Sequence, residues 1–591
     1  MSHRRLTLAA APLAVTALVL AGCSSAASEP AAWIDAATTT APGATNEAVP
    51  GAGLNAAAVL AANADATVVY DGDWSASDAV DIALDGATAT SSSDGVRVSG
   101  STVTITDAGV FRLSGSLEGR VVVAAPDDAR VVLILDGADI AASDGPAITV
   151  STADDVVIAL TGDNTVSDAA SYPDGADTNA AIHADADLTI TGTGSLTVTG
   201  NGNDGITSTD DLVVLSGGIT VDAADDGLRG KDALVVSGGT LTVTAGGDAL
   251  KSDQDGDDTK GYVWLAGGTI DLTSGDDGVS AATDVVVTDG TVSIVAGTAA
   301  TAADDVPQGV AAGVTVVVEG GDIAIDAADD GLHSDGSVGI GGGTLTISSG
   351  DDGVHAEQRL EIRGGDVTIA EAVEGLEGVD VAISGGTVSV TASNDGINAA
   401  GNTASGGQGG MAGEADTGES LVISGGTVTV VARGDALDSN GSITISGGEI
   451  AVYGPTGGGE GAVDANGAVT IDGGVVLVGG STLKVPGGAQ TWVSASASGS
   501  AGSTVEILDA AGALVASFTS AASFDALLVS DAGLVAGDSY DVVVDGTTTA
   551  ATAGTGLTTG MGPGGAGGFP GGGGGGFPER GPEGRPDGAA S

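Results

Sequence analysis

Apolar and polar residues alternate in short bursts along most of this chain, and the bursts return at a fixed interval. Residues 225–247, DDGLRGKDALVVSGGTLTVTAGG, hold one full unit. Leu228, then Leu234-Val235-Val236, then Leu241-Thr242-Val243 mark three short strands with turns between them. Later units keep the alternation: Leu360-Glu361-Ile362 precedes Val367-Thr368-Ile369, and Ile443-Thr444-Ile445 precedes Ile450-Ala451-Val452. A period of two predicts strands with one buried and one wetted face. The second glycine of each turn, or its equivalent, falls at Gly218, Gly239, Gly268, Gly290, Gly321, Gly343, Gly365, Gly386, Gly426, Gly448 and Gly474, a base period of about 22 residues. Three strands and three turns in that length make one coil of a parallel β-helix, and stacking the coils buries a continuous aliphatic column. The predicted fold is therefore all-β, a parallel β-helix over residues 67–487.

Outside that span the pattern changes. Residues 1–22 carry Arg4 and Arg5 ahead of an apolar run, Leu6 to Leu20, that is too short to span a membrane, and so they predict a secretion signal. Its end, Leu20-Ala21-Gly22-Cys23, resembles the lipobox of bacterial lipoproteins. That resemblance implies cleavage after Gly22, lipid on Cys23 and attachment to the cell surface through the membrane. Cys23 is the one cysteine in the sequence, so no disulfide forms within one chain. Residues 23–66, rich in Ala, Thr, Ser and Pro, are expected to be a flexible tether. Two insertions interrupt the repeat, SDQDGDDTKGY (252–262) and the Gly-rich 401–420, the second expected to be mobile. Residues 488–556 break the period, and runs such as Thr504-Val505-Glu506-Ile507 predict a small antiparallel β module capping the helix end. Residues 557–591 are low-complexity and expected to be disordered.

Charge narrows the partners. With 79 acidic against 16 basic residues, the net charge of −63 excludes nucleic acid, whose phosphates need Lys and Arg in number. Such a surface also repels acidic polysaccharides unless cations intervene. The chain is expected to be a monomer.

Aligning the coils puts one acidic slot in register: Asp204, Asp226, Asp248, Asp277, Gln308, Asp330, Asp352, Glu374, Asp395 and Asp435. A second acid often precedes it, at Asp225, Asp276, Asp329 and Asp351. Carboxylates about 5 Å apart at an effective dielectric of about 20 repel by about 3 kcal/mol. The stack therefore needs raised pKa values, strong backbone donors or bound cations. Asp-Gly is also a common turn pair whose carboxylate accepts a local backbone N–H, and that reading stands beside the metal one. Asp253, Asp255 and Asp257 crowd further oxygen ligands next to Asp226, Asp248 and Asp277. Oxygen ligands in number, with no cysteine and no histidine pair, favour Ca²⁺ over zinc.

Three residues beyond the slot runs a second register: His183, Thr207, Arg229, Lys251, Ser280, Ala311, His333, His355, Glu377, Asn398 and Asp438. An apolar residue precedes most of these, so the row is predicted to point outward and offer a polar groove to an extended polymer. It is equally compatible with a solvated strand face carrying weak ion pairs. In Lys260-Gly261-Tyr262-Val263-Trp264-Leu265 the alternation turns Val263 and Leu265 inward. Tyr262 and Trp264 are then expected outside, where a sugar ring could stack, unless the acidic insertion folds over them.

With these features in view, the chain resembles a family of bacterial surface carbohydrate-binding proteins, Ca²⁺-associated right-handed parallel β-helices shaped like pectate lyases. The matching segments include LILDGADIAASDGPAI (133–148), NAAIHADADLTITGTGSLTVTGNGNDGI (179–206), DDGLRGKDALVVSGG (225–239) and KGYVWLAGG (260–268). The resemblance implies a right-handed coil and Ca²⁺-assisted binding of pectin-like or cellulosic polysaccharide without catalysis. A Ca²⁺-dependent polysaccharide lyase is the alternative, with Lys251 as base and Arg229 as helper. Against it, nearby acids should raise the Lys251 pKa. A structural adhesin or ice-binding solenoid, hinted at by Thr240, Thr242 and Thr244, is a third reading.

Overall fold

The computed structural model describes residues 54–173, 175–176, 178–298, 306–401, 415–457, 461–481 and 483–556. The predicted signal, Cys23, most of the tether, the greater part of the 401–420 insertion and the C-terminal tail lie outside the described residues. Within them the chain is nearly all strand, and most strands join one long sheet in which each pairs in parallel with its equivalent in the next coil.

The coil of residues 228–245 illustrates the build. Leu228–Gly230 pairs with Leu250–Ser252, Ala233–Val236 with Tyr262–Leu265, and Thr240–Ala245 with Thr269–Thr273. Each strand thus finds its partner three elements on, and three ladders of side chains run the length of the stack. One inner ladder reads Ile219, Leu241, Ile270, Val292, Ile323, Leu345 and Val367. A second reads Leu212, Leu234, Val263, Val285, Val316 and Val338, and a third Ile206, Leu228, Leu250, Val279, Val310 and Leu332. All are buried in one continuous aliphatic core, the column that the alternation predicts.

Glycine is required where the turns nest. Gly239 has φ +87°, and a Cβ there would lie 2.6 Å from the Gly217 carbonyl oxygen. The sequence alignment is off by one at the preceding turn. Gly218 pairs with Thr240, so the equivalent of Gly239 is Gly217, at φ +111°.

Both ends depart from the repeat. Parallel pairing begins between Val80–Gly86 and Gly109–Leu117, beside an antiparallel pair, Val96–Ser99 with Thr102–Ile105. At the far end Ala526–Ser530 adds antiparallel to Val475–Gly480 and to Trp492–Ala495. Trp492 and Leu528 thereby join the inner column. A separate four-stranded antiparallel sheet follows, with its own core around Val505, Ile507, Phe518, Phe524 and Val542.

The expected tether is not free along its whole length. Residues 54–69 lie against the outside of the second-strand face. A short helix, Ala56–Ala62, is capped by Asn55, whose side chain accepts from the Ala58 N–H. Leu54, Ala56, Ala66 and Val68 cover Val213, Val235, Trp264, Val286 and Val317. The Thr67 N–H donates to Asp211 Oδ2 at 2.7 Å, and the Ala64 N–H to the Thr259 carbonyl at 2.7 Å. This strap corrects the outward reading of two aromatics. Tyr262 is 3% exposed and Trp264 9%, Tyr262 donates its hydroxyl to the Ala64 carbonyl, and Trp264 Nε1 donates to Thr288 Oγ1. They are sealed under the segment that precedes the repeat, not under the acidic insertion.

Trp264→Ala is therefore expected to cost about 3–5 kcal/mol in thermal or denaturant unfolding and to speed hydrogen exchange across residues 54–69. A cost below about 0.5 kcal/mol, usual for surface substitutions, would return the ring to the outside.

Candidate functional site

The acidic slot and the outward row lie side by side along the first-strand face, and the pairing confirms their register. His183, Thr207, Arg229, Lys251, Ser280, Ala311, His333, His355, Glu377, Asn398 and Asp438 follow one another as direct cross-strand partners. Most members are half-buried, but His183 is 2% exposed and so falls out of the expected groove surface. Desolvation lowers its pKa against the pull of Asp185.

Five slot carboxylates put their two oxygens to separate use. One accepts the backbone N–H of the equivalent residue in the next coil: Asp226 Oδ1 from Asp248, Asp248 Oδ1 from Asp277, Asp277 Oδ1 from Gln308, Asp330 Oδ1 from Asp352 and Asp395 Oδ1 from Asp435, all at 2.6–3.0 Å. The turn reading is right in that an aspartate serves a backbone donor, but the donor belongs to the next coil rather than to the same turn. Where a basic group stands in the row three residues on, the second oxygen faces it. Lys251 Nζ lies 3.1 Å from Asp226 Oδ2 and 2.8 Å from Asp248 Oδ2. His333 Nδ1 lies 2.9 Å from Asp330 Oδ2, and His355 Nδ1 3.0 Å from Asp352 Oδ2.

The stack also raises its carboxyl pKa values. Burial and the charge of Asp226 push Asp204 up to about 7. Burial and Asp248 push Asp277 up to about 7, and burial with Asp395 and Asp435 does the same to Asp438. Burial lifts Asp248 only to about 6 because Lys251 draws it back. Lys251 is itself held well above the ordinary lysine value: burial works to lower it, but Asp248 and Asp226 outweigh that.

Oxygen clusters able to hold a cation occur at Asp248, Asp276 and Asp277, at Asp329, Asp330 and Asp351, and at Asp435, Asp438 and Asp464, each offering ligand atoms within 4.8 Å of one another. Asp253, Asp255 and Asp257 are not in these clusters. Asp253 pairs with Arg229, and Asp257 accepts from the backbone and hydroxyl of Thr259. Asp204 is occupied by Thr207 and Asn203, and Asp225 is raised by burial and by Asp226. Asp352 meets His355 and Glu377 instead of a purely acidic set. The histidine pair absent from the linear sequence exists in space: the His333 and His355 ring centroids are 5.0 Å apart.

A feature missed in the sequence lies on the neighbouring face. Asp154, Asp187, Asp210, Asp211 and Asp232 line a pocket of about 370 Å³ closed by the strap and by Lys260. Lys260 Nζ sits 2.5 Å from Asp232 Oδ2, so it serves this pocket and not the first-strand row. Burial and Asp211 push Asp187 up to about 7. The signal was available: Asp155, Asp187 and Asp211 open successive second strands.

Two expectations follow. Asp226→Ala leaves the Asp248 N–H without its acceptor in a buried setting and is expected to cost about 1–3 kcal/mol, most of it regained in Asp226→Asn, whose amide oxygen still accepts. The pH dependence has a definite sign. Asp204, Asp277 and Asp438 have folded pKa values raised above 3.8. The stability they contribute is complete below about pH 4 and is lost as pH rises through about 7. His355, raised from 6.5 to about 9 chiefly by its bond to Asp352, loses its contribution as pH passes about 9. In metal-free buffer the unfolding temperature should therefore fall between about pH 5 and about pH 8. A rise over that range would refute the assignment.

A stack of coils with a polar row along one side presents an elongated face suited to a linear polymer. No curated protein matches the chain. The polysaccharide lyase-like protein from C. thermocellum, solved as a gadolinium derivative, is similar over 44% of this chain and 96% of its own, at 30% identity and a TM-score of 0.37. A family model described as carbohydrate-binding domain-containing protein matches residues 99–353 and 351–560. With those matches spanning well over half of its 591 residues, the chain belongs to this carbohydrate-binding domain family.

Proposed function

We propose that the chain is a non-catalytic polysaccharide-binding lipoprotein of the bacterial surface, anchored through Cys23, whose first-strand face takes an extended pectin-like or cellulosic chain with help from Ca²⁺. The observation that carries this reading is the unbroken register of the outward row beside the acid stack, which offers equivalent positions at every coil to a polymer with its own repeat. The coil is right-handed on this reading, because a crossover between parallel strands of one sheet is right-handed in nearly all cases.

Asp248, Asp276 and Asp277 fit Ca²⁺. Their donors are all oxygen, as a hard cation requires, and they converge within 4.8 Å. When bound, the ion supplies the positive charge that lets an acidic glycan approach so acidic a surface. Arg229 and Lys251 contribute donors to sugar hydroxyls or carboxylates. Tyr262 and Trp264, being covered, contribute none. The lyase reading is disfavoured by the state of Lys251. A base needs a free lone pair near neutral pH, whereas this amine sits between two carboxylates that hold it protonated.

Retention of the chain lacking residues 1–23 on polygalacturonate, with Ca²⁺ and then with chelator, tests both parts while ultraviolet absorbance reports any unsaturated product. Retention in Ca²⁺ alone, with flat absorbance, is expected. Asp276→Asn with Asp277→Asn should weaken it by about tenfold or more, the range expected when ion ligands are lost. Equal retention in chelator would remove Ca²⁺ from the account, and product formation would make the protein a lyase.

A further inference from the structure

All three histidines after residue 23 share one local motif, His-x-acid: His183-Ala184-Asp185, His333-Ser334-Asp335 and His355-Ala356-Glu357. Two of them also follow an acidic-slot residue, in DGLHSD (330–335) and DGVHAE (352–357), and these two segments occupy consecutive coils where His333 pairs directly with His355. Coil stacking therefore brings two imidazoles and a carboxylate together as no single segment could.

We propose that Asp330, His333 and His355 form a site for a borderline divalent transition-metal ion of the zinc class, distinct in chemistry from the all-oxygen clusters. Both Nδ1 atoms approach one oxygen, Asp330 Oδ2, at 2.9 Å from His333 and 3.7 Å from His355, whose nearer neighbour is Asp352 Oδ2 at 3.0 Å. The three ligand atoms all lie within 4.8 Å of one another. A tetrahedral ion with ligands at about 2.0–2.1 Å has ligand-to-ligand edges of about 3.3 Å, and the two observed separations bracket that value. The rings are tilted by 51° instead of stacked.

The opposite ring edges supply the second, independent observation. His333 Nε2 faces Asp335 Oδ1 at 3.4 Å, and His355 Nε2 faces Glu357 Oε1 at 3.9 Å. In the metal-free chain the two Nδ1 atoms bond to Asp330 and Asp352, so a bound ion takes the place of the Nδ1 protons. Each Nε2 keeps a carboxylate on its outer side, hydrogen-bonded at His333 and close by at His355, as in the outer shell of metal-bound histidines. Asp330 is equally constrained, since its Oδ1 is committed to the Asp352 N–H and only Oδ2 remains. The carboxylate is buried, while the side chains of His333 and His355 are 18% and 21% exposed, so an ion can enter and keep an open position. Two nitrogens in the donor set favour zinc-class ions over Ca²⁺. His183 is the internal control. Its Nε2 meets Asp185 at 3.2 Å, but the slot residue three positions earlier is Ala180, and its buried Nδ1 has no hydrogen-bond partner.

This inference does not rest on polysaccharide binding. The chain lacking residues 1–23, stripped of metal, is titrated with Zn²⁺ in the absence of Ca²⁺, which would compete for Asp330 through its cluster with Asp329 and Asp351, and separately with Co²⁺ to read coordination from its visible spectrum. One Zn²⁺ per chain is expected, together with the intense visible bands of four-coordinate Co²⁺. His333→Ala and His355→Ala should each abolish the site, Asp335→Asn should weaken it by about tenfold or more, and His183→Ala should leave it unchanged. Unaltered unfolding temperatures of the metal-free variants would exclude misfolding as the cause. Zn²⁺ binding that is absent from the parent chain, or equal in the parent and the two histidine variants, would overturn the proposal. So would a Co²⁺ spectrum confined to the weak bands of six oxygen ligands.

Discussion

Parallel pairing sets neighbouring coils about 4.8 Å apart, and nearly everything else in the molecule is a response to that spacing. An apolar residue repeated at this interval becomes part of the buried column. A repeated carboxylate becomes a column of like charge, and the chain has to discharge it. It does so by committing one oxygen of most slot aspartates to a backbone N–H of the following coil, so that the same group that strains the stack electrostatically also stitches it together. Lys251, His333 and His355 then stand three residues on, close enough to share the oxygens left over. Where no such basic partner stands, as at Asp277, the proton is held more tightly.

Much of this was legible in the sequence because a repeat turns linear spacing into spatial contact. Once the period is known, the coil build, the acid stack and the outward row follow by counting, and the observed register agrees position by position from His183 to Asp438. Counting fails where contacts come from outside the repeat. Tyr262 and Trp264 obey the alternation and do sit on the outer side, yet residues 54–69 cover them. A trace of that cover was present. The outward positions of the covered strands are Val213, Val235, Trp264, Val286 and Val317, a run of apolar residues that turns polar at Glu361, where the strap's Leu54 N–H meets the carboxylate, and carries Thr444 and Thr470 farther on. Gly339 breaks the series because Leu54 lies where its side chain would go, 2.5 Å from the Cβ position.

Metal preference was harder to read for the same reason. With no two histidines adjacent in sequence, a tally of ligand types points to oxygen alone. His333 and His355 are 22 residues apart in the chain but one rung apart in space. Ligand motifs in a solenoid have to be sought at the coil period as well as within a loop. The acid-lined pocket beneath the strap is a similar case, since its aspartates recur once per coil and gather only when the coils stack.

The strap also constrains the order in which the protein can be completed. From Leu54, which contacts Glu361 and Arg363, it passes Asp284, Thr259 and Asp211 before Val69 reaches Thr189, so it runs against the direction in which the coils are laid down. Its first residue cannot find its place until a segment 309 positions later has been made and folded. A chain that emerges amino end first must therefore wait with its strap undocked while coil after coil assembles from local contacts, and the outer apolar strip stays open through that interval. Closing the strap is the late, long-range step of an otherwise local folding reaction.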